Sequence, residues 1–281
     1  MREIKNGVMD EERALYGLSK TAVRLCRFEG PADGESALKR CRDITIEDCF
    51  FALRYPLWHG NNIDVRNSEL AETCRAALWY CEGVALRNVR IHGIKALREC
   101  GGISLTDCEA VSPELLWKCR GMRAERLSVE SEYPFFESRN AEIAHLTLKG
   151  KYSFQYVENV TVRDSVLDTK DAFWHAKNVT VYDSEVRGEY LGWYSDRLRL
   201  VRCRISGTQP LCCCTNLELD HCTMDGCDLS FELSEVRADV QGTIDSVKNP
   251  LRGRIAADGI GRVILENGEC DPARTEIVRR G

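Results

Sequence analysis

The sequence predicts an all-β fold: a single-stranded right-handed parallel β-helix of about 12 coils of roughly 19 residues, preceded by a short N-terminal helical cap. Three observations predict it. Residues 43–49, 62–68, 102–108, 159–165, 178–184 and 216–222 align as repeats of one pattern. Within each repeat, positions 2 and 4 are apolar and mostly β-branched, the period-2 signature of a strand with one buried face. Asn recurs at position 1 (Asn62, Asn140, Asn159, Asn178, Asn216) and Gly at position 11 (Gly93, Gly150, Gly188, Gly207, Gly226), residue types that tolerate the left-handed backbone of corners. A unit this short buries no core alone and must stack on its neighbours.

Taken in order, residues 1–19 form the cap, because Asp10 followed by Glu11 and Glu12 reads as a helix N-terminus. Residues 20–267 form the coils, residues 268–281 a C-terminal tail, and residues 1–281 a single domain. A leucine-rich repeat is the rival, since residues 176–186 and 214–224 fit its frame. Each of those repeats needs a helical segment after the strand, for which about eight residues are left here.

Stacking makes equal positions neighbours. Position 15 (Leu57, Leu78, Leu97, Leu116, Phe135, Phe154, Phe173) is assigned to the interior. Position 16 holds Trp58, Trp79, Trp117, Trp174 and Trp193 with Phe136 and Phe231, yet also Arg98 and Gln155, so it faces inward as an aromatic stack or outward as a bare stripe. Position 7 (Cys26, Cys49, Cys108, Cys203, Cys222) and position 18 (Cys41, Cys81, Cys100, Cys119, Cys214) are columns of small residues. The 15 cysteines are odd in number with no C-x-x-C spacing, so core packing is expected, with free thiols, no metal and no cofactor.

Function is read from the outer positions of one region. Around Asp171, Trp174 and His175 lie Tyr152, Tyr156, Tyr190, Trp193 and Tyr194, with Glu189 and Glu232 beside them. Aromatic rings among polar groups suit a sugar, which has an apolar face and a polar rim. Asp171 and His175 are the candidate acid and base if there is catalysis; the remaining eight residues are ligand-binding candidates. Self-packing of the aromatics is the alternative. Stacked pairs Asp168/Arg187 and Lys170/Glu189 read as ion pairs, and no unpaired carboxylate pair at glycosidase spacing emerges. The net charge of −5 disfavours nucleic acid. No stretch is apolar enough to span a membrane, and the opening residues lack the features of a secretion signal, so a cytoplasmic protein is expected.

The segments RYPLWHG at 54–60, DAFWHAKN at 171–178, GEYLGWYS at 188–195 and GTQPLC at 207–212 resemble a bacterial domain-of-unknown-function family of stand-alone, pectate-lyase-like right-handed β-helix proteins. The resemblance covers nearly the whole chain and implies the fold. It implies no activity; the wider superfamily's polysaccharide lyases and glycoside hydrolases supply only the first guess should the protein be an enzyme. This chain shows neither an acidic Ca²⁺-ligating cluster nor a Lys/Arg row for a uronate chain. Two function classes follow: a carbohydrate-binding or carbohydrate-active protein, and a noncatalytic scaffold that docks a protein partner or a second copy.

Overall fold

The structure, a computed structural model, describes residues 2–266 and 268–281. It consists of parallel β-solenoid coils, about 15 turns of ~19 residues, and a 3₁₀ turn at Pro272–Arg274 is its one helical element among the described residues. The chain divides into two compact units, Met1–Ile143 and Ala144–Gly281.

In the N-terminal unit, strands Ser19–Arg24, Arg42–Glu47, Asn61–Arg66, Glu82–Arg87, Gly101–Val111 and Arg120–Ser131 stack in parallel. Their register builds the buried column Thr21, Ile44, Ile63, Val84, Ile103, Met122. Position 2 of the repeat therefore faces the core, as the period-2 pattern requires. A second, narrower sheet is built from Leu57–Trp58, Leu78–Trp79, Ala96–Arg98, Glu114–Trp117 and Tyr133–Pro134. The C-terminal unit repeats the scheme, with Val162, Val181, Leu200, Leu219, Ala238 and Ile255 in one column.

The ends differ from the sequence expectation. Among the described residues, no helix caps the N-terminus. Instead Arg2–Lys5 is itself a coil strand, paired in parallel with Thr21–Arg24, and residues 11–17 are turns. The acidic residues meant as a helix start serve these turns: Asp10 accepts from the Ala32 N–H (3.0 Å) and Glu12 from the Glu35 N–H (3.0 Å). At the other end, Thr275–Arg279 pairs with residues 253–257 as a further coil strand. These two terminal coils, with degenerate repeats, account for the coil count exceeding 12.

Corners explain the residue types. Asn62 and Asn178 at position 1 have φ of 54° and 52°, and their side-chain amides donate to Asp43 (2.8 Å) and Asn159 (2.7 Å) one coil away. Position 6 is a second left-handed bend, occupied by Asp48, Asn67, Asn88 and Asp107, which the sequence reading missed. At Gly188 (φ 141°) a Cβ would lie 2.2 Å from the Thr169 carbonyl oxygen, so only glycine fits.

The cysteine columns have a hydrogen-bonding reason. Cys119 Sγ donates to the Leu97 carbonyl (3.3 Å), Cys100 to Leu78 (3.6 Å), and Ser138 Oγ makes the same bond to Leu116 (2.6 Å). Cys and Ser alternate there because each is small and offers one donor to the neighbouring coil. All 15 cysteines are free thiols. Burial pushes Cys41, Cys212 and Cys227 up to about 12, which keeps them protonated and inert.

Candidate functional site

The aromatic corner of the C-terminal unit begins with its backbone. Asp171, Phe173 and His175 have φ of 55°, 61° and 52°, alternating with extended residues. Left-handed backbone costs an L-residue about 1–2 kcal/mol. The cost is offset by bonds between coils: His175 N–H donates to Trp193 O (2.9 Å), Tyr156 N–H to Trp174 O (2.8 Å) and Tyr194 N–H to Cys212 O (3.1 Å). This alternation breaks the period-2 rule, so position 15 points inward, position 16 lies in the corner and position 17 points outward.

Three aromatic layers result. Innermost, Phe154 and Phe173 are fully buried and stacked, with centroids 5.1 Å apart. In the corner, the half-buried Trp174 and Trp193 lie parallel, 5.5 Å apart and inclined by 5°. Each indole N–H is satisfied locally, Trp174 by Tyr190 O (2.7 Å) and Trp193 by Gln209 O (2.8 Å). The tryptophan column is thus neither a core stack nor a bare stripe. Outermost, His175 is stacked between Tyr156 (4.9 Å) and Tyr194 (5.0 Å), and both tyrosines are 49% exposed.

Tyr190 packs edge-on to Trp193 at 5.5 Å, with Lys170 Nζ 5.1 Å from its ring centroid. Tyr152 is half-buried at the left-handed position preceding Ser153. Glu189 is ion-paired with Lys170 (2.9 Å) and Asp168 with Arg187 (3.2 Å), the pairing expected from the repeat. Asp171 is buried; desolvation holds its carboxyl above the usual carboxylate range, Lys170 opposes this and Glu189 adds to it. No hydrogen bond joins Asp171 to His175 among the described residues.

The coil after Asn216 departs from the 19-residue spacing. An added residue places Phe231 (φ 67°, fully buried) in the interior column, its N–H bonded to Pro210 O as Leu211 N–H is to Leu191 O. Glu232 consequently moves to the tryptophan position, where Lys248 Nζ pairs with it at 2.9 Å.

The sequence reading missed the charged face of the last coils. Arg199, Glu218, Asp220, Arg237, Asp239, Arg254 and Arg280 line a cleft of about 350 Å³. Asp220 and Asp239 of this cleft and the neighbouring His221 bring one ligand atom each within 4.8 Å of one another. His221 Nδ1 lies 2.6 Å from Asp220, whose hydrogen bond raises the imidazole pKa, with Asp239 contributing. The available signal was the run of arginines after residue 236, masked because the coil length changes there: Glu235 pairs with Arg252 rather than with a residue 19 positions on.

Residues 2–278, essentially the whole chain, match the family described as "Protein of unknown function (DUF3737)". The chain belongs to the DUF3737 family. No curated protein matches this DUF3737 chain. Among solved structures, it is similar to PfbA, a surface adhesin of Streptococcus pneumoniae, at 7% identity and TM-score 0.50, covering 92% of this chain and 83% of that one. It is more distantly similar to the A-module of a mannuronan C-5 epimerase from Azotobacter vinelandii (12% identity, TM-score 0.27, 94% and 80% covered). A periplasmic alginate epimerase matches at 8% identity and TM-score 0.34, with 94% and 76% covered. At such identities the likeness to PfbA establishes a shared β-helix fold and nothing about activity.

Proposed function

We propose that the protein is a noncatalytic carbohydrate-binding solenoid whose ligand lies along the outer ladder of Tyr156, His175 and Tyr194. The observation behind this reading is the ladder's geometry: ring faces are spent on one another at 4.9 and 5.0 Å, so what reaches solvent is a row of edges. Those edges hold two phenol hydroxyls and an imidazole, donors and acceptors suited to sugar hydroxyls. Because stacking fixes the rings, little side-chain entropy is lost on binding. Trp174 and Trp193 brace the row from below, and Tyr152, Tyr190 and the Lys170–Glu189 pair border it.

Catalysis is disfavoured by the state of the carboxylates: Glu189 and Glu232 are paired with lysines, and Asp171 is buried with no side-chain hydrogen bond to its carboxyl among the described residues. A protein-docking role, to a partner or a second copy, is the second reading, favoured by the exposure of Tyr156 and Tyr194. The free thiols suit a reducing compartment, and we place the protein in the cytoplasm. The test is a glycan array probed with the wild type, Tyr194→Ala and Tyr80→Ala. The reading requires a glycan signal that Tyr194→Ala abolishes and Tyr80→Ala keeps; loss in both, or no signal with the wild type, contradicts it.

A further inference from the structure

The geometry points to an oxyanion site in the last coils, separate from the aromatic ladder: Arg237 and Arg274 face one depression of about 550 Å³ that fits the carboxylate or phosphate of an acidic sugar. Arginines nearby are committed to carboxylates. Arg199 pairs with Glu218 (3.4 Å), Arg252 with Glu235 (2.7 Å), Arg254 with Glu276 (3.1 Å) and Arg280 with Asp258 (3.0 Å). Among the described residues, no carboxylate lies within ion-pairing distance of Arg237 or Arg274. Strand register sets Arg237 between Glu218 and Arg254, but Glu218 pairs with Arg199 and Arg254 with Glu276, so the Arg237 guanidinium keeps its donors.

The floor of the depression is shaped for close approach. Gly253 (φ 123°) forms part of it, and a Cβ there would lie 1.9 Å from the Val236 carbonyl oxygen, so this stretch of the lining is bare backbone. Arginine's planar fork matches a carboxylate or phosphate with two parallel hydrogen bonds. Glu218 and Glu235 on the same rim remain acceptors for neighbouring hydroxyls. Three arginines against two glutamates leave one positive charge on this rim, which suits a single oxyanion and not the dense charge of a nucleic acid.

The test is calorimetric titration of the full chain with glucuronate, glucose 6-phosphate, glucose and inorganic phosphate. The proposal expects both acidic sugars to bind, glucose not to bind, and salt to weaken binding. Arg237→Gln and Arg274→Gln should each lower affinity about tenfold or more, the scale of a lost charge-assisted bond, with thermal stability unchanged because both side chains are exposed. Arg237→Lys should recover only part of the loss. Unchanged affinity in both glutamine variants, or glucose binding as well as glucuronate, overturns the site. Inorganic phosphate binding as tightly as the sugar phosphate overturns the assignment of a sugar ligand.

Discussion

The two units solve the same corner differently. In the N-terminal unit, the tryptophan column is interrupted: Arg98 lies between Trp79 and Trp117, with its guanidinium 5.0 and 4.8 Å from their rings and Glu114 as its ion-pair partner at 3.2 Å. Outside it, His59 and Tyr80 stack at 5.1 Å, and the column continues with Glu99 and Lys118. In the C-terminal unit, Trp174 and Trp193 touch directly, and the outer column is an unbroken Tyr–His–Tyr ladder. The inner column carries leucines at 57, 78, 97 and 116 and Phe135 in the N-terminal unit, against phenylalanines at 154 and 173 in the C-terminal unit. One backbone corner therefore accepts either a cation–π sandwich or a pure ring stack, and only the second leaves a continuous aromatic edge.

The largest expected effect lies in the inner layer. Phe173→Ala should cost about 3–5 kcal/mol in chemical denaturation, the usual result of emptying a buried aromatic site. A loss below that of an exposed substitution would mean the corner is not packed as described. Next, Trp174→Ala should cost about 1.5–3 kcal/mol, less than a fully buried ring because its outer face is solvated. Arg98→Ala in the other unit should cost about 1–2 kcal/mol through two lost cation–π contacts, and high salt should shrink that difference while leaving the Trp174 value unchanged. Equal salt sensitivity would erase the contrast between the units.

A smaller effect is set by Asp171. Burial raises its pKa in the folded state, so the folded form holds its proton more tightly than the unfolded one. Its favourable contribution is complete below the unfolded value near 3.8 and is lost as pH rises through the raised folded value. Asp171→Asn should therefore raise the melting temperature at neutral pH, and the gain should fade as pH drops toward 4. A gain independent of pH would show that burial does not raise the pKa of this carboxyl.

The strands were legible because Ile44, Val84 and Val181 repeat an alternation that only a stacked parallel sheet can bury. Ion pairs such as Lys170–Glu189 were legible for the same reason, since equal repeat positions become neighbours. The orientation of Trp174 was not, because the period-2 rule assumes extended backbone and residues 171, 173 and 175 alternate with left-handed φ. Glu232 was misplaced by a single added residue, and the Arg237 face was hidden where the period changes. The N-terminal helix failed because a cap signature describes local preference, whereas Asp10 and Glu12 spend their carboxylates on the Ala32 and Glu35 N–H groups of the next coil.

Whether the Tyr156–His175–Tyr194 ladder binds glycan through its polar edges is decided by the double variant Tyr156→Phe/Tyr194→Phe. The rings and their stacking with His175 are retained while both hydroxyls are removed. Stability is expected within about 0.5 kcal/mol of the wild type, as is usual for exposed substitutions, with a loss of glycan affinity of about tenfold from two missing hydrogen bonds. Unchanged glycan affinity in this variant would contradict binding through the polar edges.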